Sequence, residues 1–520
     1  MKTNRYQSPH DVIHEALQSL DISIEHSPQS LSETEYWLEN DGLDDPALTD
    51  LTHLPFVTID NEDSRDLDQA LYITTHADGY HVFYALADAS YYIRPDSALF
   101  SEALHRGTTF YTPLLAAPML PTALSEGLIS LNPDVLRRSL VFEMWLDKNA
   151  VVANCKIVRA KIKSHAKLSY SGVQQWLDAS EVDSKSYHSS LRLLRELGEK
   201  LIVAADARGV IQFDRTENSI QVSGSPPHLQ ATLRSRFHSE RYNEQISLLC
   251  NLQGAELLLG FAGVTDVLQA IFRIHAAPLR KNLARLKETL NALANTFEDP
   301  QPWRWQEGQS LAQYVATLPG DPQFQRRVRA IQRQIMQAQR GSTFTPDPSE
   351  HHALKASSYA RFSSPMREIV GIFTHKELIE ALNGGHFDNA ADHVLRDQVI
   401  DSANAARQRQ RQLDKRIELA MLHSVFSRDL DAEVTPWHTG TIMGMRADKI
   451  YINLDAMALD IKVYRDDLDM TYSTSYIITE ALAIPADKTC PQWQLGQGVQ
   501  LRIKSYDTAR ARFIFFVQAI

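Results

Sequence analysis

Four short apolar runs in the first third of the chain constrain its fold most: FVTID from Phe56, ALYI from Ala70, HVFYALADA from His81 and SLVFEMWL from Ser139. Each is too short for a buried helix and rich in β-branched and aromatic residues. Turn-prone residues such as Ala77-Asp78-Gly79 separate them, the pattern of strands in a buried sheet. After about Ser189 helical spacing takes over, notably in RYNEQISLLCNLQGAELLLGFAG and from about Asp392 to Phe426. Ahead of the strands, Val12, Ile13, Ala16, Leu17 and Leu20 suit one face of a short amphipathic helix. From about residue 434 the runs TGTIMGM, KIYINL, VQLRIKSY and RFIFFVQ, with Gly440, Gly444, Gly496 and Gly498 at bends, predict a small terminal β-barrel. The expected class is therefore α+β: a short helical region over 1–54, a mixed sheet surrounded by helices over 55–430, and a barrel over 434–520.

A chain of 520 residues with 43% hydrophobic content can bury a large core and divides into more than one domain. It has no run of about 20 apolar residues, and its start, MKTNRYQSPHD, lacks the apolar core of a secretory signal. A cytoplasmic, membrane-free monomer is the expectation. Cys155, Cys250 and Cys490 lack metal-type spacing and predict neither disulfides nor zinc. The net charge of -11 by itself argues against a nucleic-acid partner. Distribution matters more than the sum, because a metal site gathers carboxylates while a separate groove can supply cations. One basic segment, FQRRVRAIQRQIMQAQR, places Val328, Ile331 and Ile335 on one helical face and Arg326, Arg329 and Arg333 on others. It reads as either a solvated face or a contact with RNA phosphates.

The chemically richest stretch is TIDNEDSRDLDQA, residues 58–70, where Asp60, Asp66 and Asp68 follow an apolar strand. Crowded carboxylates repel, and a bound divalent cation is the usual remedy that keeps them ionised. Hard oxygen donors suit Mg²⁺ or Mn²⁺, which can activate water for phosphodiester hydrolysis. A solvent-facing acidic turn is the other reading of the same residues.

The segment TIDNEDSRDLDQALYI resembles the signature of the RNase II/RNB family, and the likeness extends well beyond it. ALADASYYIRPDSAL, RGTTFYTP, PMLPTALSEGLISLNP, IKSHAKLSYSGVQQWL, FRIHAAPLRKNLARL and YARFSSPMREIVGIFTHKEL resemble RNB segments in the family's order, across roughly residues 55–425. The terminal barrel resembles the S1-type OB fold that follows RNB domains. The resemblance implies a 3′-to-5′ exoribonuclease that hydrolyses single-stranded RNA with two divalent ions and releases 5′-mononucleotides. It makes Asp68, Asp66 and Arg367 catalytic, and Asp60, Asp66, Asp68 and Gln69 metal-site residues. Tyr111 matches an aromatic that stacks on terminal bases, Tyr170 a tyrosine near the 3′-terminal nucleotide, and Phe213 a further stacking partner. Glu244 or Gln245 matches the position that reads a ribose hydroxyl.

The chain departs from the family in several places. Gln69 stands where the family has a fourth aspartate, which raises the alternative of a catalytically impaired RNA-binding protein. Glu368, Ile369, Val370 and Gly371 replace a polar stretch after SPMR, and in QLDKR Lys415 falls near an expected glutamate with Asp414 beside it. Typical members carry two cold-shock-type OB domains before the catalytic domain. About 54 residues precede it here, so the expectation is a weaker RNA grip in which the S1-like barrel carries more of the binding.

Overall fold

The computed structural model describes residues 9–179, 184–213, 216–223, 228–262, 268–383, 389–457 and 459–520. The apolar runs form the central sheet: β1 (Thr49–Asp50), β2 (Phe56–Asp60), β3 (Gln69–His76), β4 (Gly79–Ala87), β5 (Leu136–Leu146) and β6 (Val152–Ser169). Their order is β1-β6-β2-β3-β4-β5, and β5 also pairs with β6. The sheet therefore closes on itself. This is possible because β6 is 18 residues long: its first part runs antiparallel to β5 and its last, Ser164–Ser169, parallel to β2. The β3–β4 hairpin turns at Ala77, whose φ is 48°.

Both faces of the sheet are covered, which is why its strands read as nearly continuous apolar runs. Val57, Leu71, Tyr84 and Phe142 face a core with Leu194, Ile246 and Phe362, while Phe56, Phe83 and Val141 face another with Phe100, Ile372 and Val399. The surrounding helices are α1 (Pro9–Gln18), α2 (Pro28–Glu39), α3 (His238–Ala262), α4 (Gln325–Ala338), α5 (Ile369–Asn383) and α6 (Asn389–Asp431), among others. A hairpin of Thr216–Ser223 with His228–Ser235 lies between helices, where the sequence pattern did not suggest strands.

The terminal unit contains β7 (His438–Arg446), β8 (Lys449–Leu454), β9 (Asp460–Tyr464), β10 (Gly498–Asp507) and β11 (Arg512–Ala519), in the order β9-β8-β7-β10-β11 of an OB-like barrel. Ile442, Ile452, Trp493 and Phe515 of this unit share one apolar cluster with Leu413, Met421 and Phe426 of α6 and with Ile13 and Leu17 of α1.

Two of the three arginines singled out on the basic helix α4 face the terminal barrel. Arg326 pairs with Asp455 at 2.6 Å, and Arg333 Nη1 reaches Asp460 Oδ1 at 2.8 Å in a two-point pair. These arginines fasten the helix to the terminal barrel, so Arg326 and Arg333 already have carboxylate partners within the chain. Cys155, Cys250 and Cys490 are free thiols. Among the described residues no helix is long and apolar enough to cross a membrane.

Candidate functional site

At the exit of β2 the chain turns sharply and re-enters the sheet as β3, so Asp60 and Asp68 stand at the ends of two neighbouring strands. A cavity of about 230 Å³ opens there. Its lining includes Asp60, Asp68, Gln69, Tyr170, Glu244 and Arg367.

Asp68 is 2% exposed. Its Oδ1 accepts the Met366 N–H at 2.9 Å and its Oδ2 accepts Arg367 Nε at 2.6 Å. Burial pushes its carboxyl up to about 6, and the Arg367 guanidinium and the Met366 amide pull against that rise. Arg367 is in turn held charged: burial opposes its cation, but Asp68, Tyr111 and Asp66 outweigh it. The arginine carbonyl is fixed as well, accepting the Thr109 N–H at 3.0 Å and the Thr108 hydroxyl at 2.8 Å.

The following residue, Glu368, pairs with Arg361 at 2.9 Å. Burial works against its charge, yet Arg361, Arg273 and Arg367 hold the carboxyl below the usual range. Beyond it, Gly371 passes Pro365 so closely that a Cβ would lie 2.8 Å from the proline Cα. The glycine that breaks the family's polar stretch thus lets α5 pack under the arginine loop.

Asp66 lies beside this pair, its Oδ2 4.0 Å from Arg367 Nε and accepting the Tyr111 hydroxyl at 3.0 Å. Tyr111 is 45% exposed, and its peptide is clasped by Gln410 of α6, which accepts from its N–H and donates to its carbonyl at 3.1 Å each. Burial raises the Tyr111 and Tyr170 hydroxyls, Tyr170 to about 12, so both are neutral donors at ordinary pH. Tyr170 accepts from Asn243 Nδ2 at 3.4 Å. Glu244 faces Arg236 at 3.2 Å.

Four expected residues are not part of the cavity lining: Asp66 and Tyr111 stand beside Arg367 outside it, and two others lie further off. Gln245 is not part of its lining, and Phe213 is half-buried against the separate cluster of Leu286, Trp303 and Tyr314. Asp414 accepts Gln410 Nε2 at 2.7 Å, which places it behind the tyrosine clasp. Asn251, Ser363, Ser247 and Tyr84 support the site and carried no sequence signal, since their partners are far away along the chain. Asn251 Oδ1 accepts the N–H groups of Phe362 and Ser363 at 2.8 and 3.1 Å.

The aspartates suit a hard cation by chemistry, though they do not form a closed cage. Asp60 Oδ1 accepts the Asn61 N–H at 2.7 Å, and neither Asp60 Oδ2 nor Asp66 Oδ1 accepts a hydrogen bond from the described residues. Those two oxygens are available to a cation, whereas both oxygens of Asp68 are engaged. Among the described residues, the only three carboxylates or imidazoles with ligand atoms within 4.8 Å of one another are Glu377, Glu380 and Asp392. Lys376 Nζ sits among them at 2.9, 2.8 and 2.8 Å, so the position of a cation is taken by an ammonium.

Residues 48–384 match the RNB domain. Ribonuclease R of Vibrio parahaemolyticus is 31% identical over 338 residues, covering 63% of this chain and 38% of that protein. Ribonuclease R of Escherichia coli is 27% identical over 481 residues, covering 90% of this chain and 57% of the relative. The chain thus spans between about two fifths and three fifths of these relatives. Among solved structures, Mycoplasma genitalium RNase R in complex with ribose-methylated single-stranded RNA superposes with a TM-score of 0.85 at 20% identity, over 98% of this chain and 78% of that one. Yeast Ssd1, a pseudonuclease, has the same fold with a TM-score of 0.66 at 14% identity, over 96% and 59%. With more than half of its length matched, this chain belongs to the RNB domain family.

Proposed function

We propose that the protein is a 3′-to-5′ exoribonuclease that hydrolyses single-stranded RNA and releases 5′-mononucleotides. The observation that carries this reading is the buried Asp68–Arg367 pair at a polar cavity, beside two aspartates with uncommitted oxygens. Asp60 and Asp66 would hold a divalent cation, Mg²⁺ or Mn²⁺, which when bound supplies Lewis-acid charge and acidifies water. Arg367 presents a planar cation for the phosphoryl oxygens as negative charge builds on them. Asp68 keeps that guanidinium charged and aimed. Tyr170 and Glu244 lie at the cavity wall, where a 3′-terminal ribose and its hydroxyl would sit. Tyr111 offers an exposed ring for base stacking at the approach. The division at about residues 54 and 430, with the OB-like barrel contributing to RNA grip, is part of the same proposal.

A 5′-labelled single-stranded oligoribonucleotide, incubated with the protein and Mg²⁺ or Mn²⁺, tests this directly. The expected result is shortening from the 3′ end that needs the cation and is lost in Asp68→Asn. The second reading, a silent RNA-binding protein, is favoured by Gln69 standing in place of an aspartate. It predicts retained binding and intact RNA.

A further inference from the structure

The amide of Gln69 is hydrogen-bonded at both its nitrogen and its oxygen within the protein. Its Nε2 donates to the carbonyl of Ser363, and its Oε1 accepts both the Tyr84 hydroxyl and the Ser247 hydroxyl, the latter at 3.0 Å. The orientation of the amide is forced, because a backbone carbonyl can only accept and the nitrogen must therefore face Ser363. The Tyr84 and Ser247 hydroxyls also bond each other, so the three oxygens form a closed triangle in which the amide oxygen faces hydroxyl donors and not open space. Gln69 is thus a poor metal ligand and a strong crosslink, joining β3 to β4, to α3 and to the segment before Arg367.

That segment is gripped by two consecutive residues. Asp68 holds its end through Met366 and Arg367, and Gln69 holds its start through Ser363. The remaining contacts agree with a preorganised loop: Asn251 binds Phe362 and Ser363, His375 Nε2 bonds the Phe362 carbonyl at 2.9 Å, and a Cβ at Gly254 would overlap the Phe362 ring. A carboxylate at position 69 could keep the two hydroxyl donors but would set an acceptor against the Ser363 carbonyl.

We infer that Gln69 is a positioning residue for Arg367, and that the glutamine is a replacement part for the loop instead of the remnant of a dismantled metal site. This rests on the nuclease reading, and it reverses what the family pattern suggests for a carboxylate at position 69: Gln69→Asp and Gln69→Glu impair the enzyme.

The test pairs a metal titration with steady-state kinetics. Mn²⁺ binding to the intact chain is followed by electron paramagnetic resonance, and kcat and KM are measured on a single-stranded oligoribonucleotide, for wild type, Gln69→Ala, Gln69→Glu and Ser247→Ala. In Gln69→Ala and Gln69→Glu, kcat is expected to fall about 100-fold, the cost of a misplaced catalytic group. KM and Mn²⁺ affinity are expected to stay within about threefold, because binding groups and cation ligands are untouched. Ser247→Ala removes a hydroxyl that meets both the Gln69 amide oxygen and the Tyr84 hydroxyl and leaves the Ser363 bond in place; it is expected to lose about threefold to tenfold in kcat with unchanged Mn²⁺ affinity. If Gln69→Ala is too unstable to assay, Ser247→Ala decides the matter, and an unchanged kcat there overturns the proposal. A loss of tenfold or more in Mn²⁺ affinity in Gln69→Ala, or a gain in kcat in Gln69→Glu, also overturns it. A wild-type chain that leaves RNA intact with every cation overturns the nuclease reading first, and is seen before any variant is compared.

Discussion

Two carboxylate clusters in the chain behave in opposite ways. Beside Arg367, Asp60 and Asp66 keep oxygens that no donor among the described residues occupies, and a cavity of about 230 Å³ lies there. Within α5 and the start of α6, Glu377, Glu380 and Asp392 come closer together than the aspartates do, yet Lys376 donates to all three. The tighter acidic cluster is the structural one. Uncommitted acceptors next to open space, more than the density of carboxylates, separate a place for chemistry from a place for cohesion.

The largest effect that would break this contrast is at Asp68. Asp68→Asn keeps the shape but removes the charge that holds Arg367, and the cleavage rate of labelled RNA is expected to drop by about 10³-fold or more. A variant with near-normal rate would remove the pair from the mechanism. Next in size, Lys376→Met leaves buried carboxylates without their counter-charge and is expected to cost about 3–5 kcal/mol in urea unfolding. Rate per folded molecule should be unchanged; a chain as stable as wild type would show that the ammonium is dispensable.

A third prediction sets the two clusters directly against each other. Asp60→Asn is expected to weaken Mn²⁺ binding by about 10- to 100-fold, while Glu380→Gln leaves it unaltered, as read by calorimetric titration. Equal effects would mean that the cation prefers the second cluster. The smallest effect concerns pH. Burial pushes Glu377 up to about 7 against the pull of Lys376, so the folded chain takes up this proton more readily than the unfolded one. Stability from this group is complete below the ordinary glutamate pKa, falls as pH rises towards about 7, and is flat above. Melting temperatures of wild type should decline across that window relative to Glu377→Gln; parallel curves would discard the assignment.

Much of this was legible in advance, for identifiable reasons. FVTID, ALYI, HVFYALADA and SLVFEMWL became strands because a sheet covered on both faces needs uninterrupted apolar runs. The acidic turn TIDNEDSRDLDQA gave away the site's location because its residues are local, and Asp60, Asp68 and Arg367 do line one cavity. Closure of the sheet was not legible, since it depends on β6 changing partners midway. The same holds for Gln69, whose partners Tyr84, Ser247 and Ser363 lie 15, 178 and 294 residues away in sequence. The arginines of α4 looked available only because Asp455 and Asp460 lie more than 120 residues further on. Phe213, expected among the bases, packs instead in a neighbouring apolar cluster that no local pattern announced.

The 43-residue helix α6 acts as a rigid axle about 65 Å long. Gln410 grips Tyr111 at one station along it, and two turns later Glu418 accepts the backbone N–H of Asp460 in the barrel at 3.4 Å. Each residue of a helix advances the bearing by about 100°. Lengthening the axle by one residue between these stations would swing the barrel's seat by that angle while the tyrosine stayed in gear. The angular phase between the tyrosine clasp and the barrel is thus set by an integer count of residues, a quantity that can change only in whole steps.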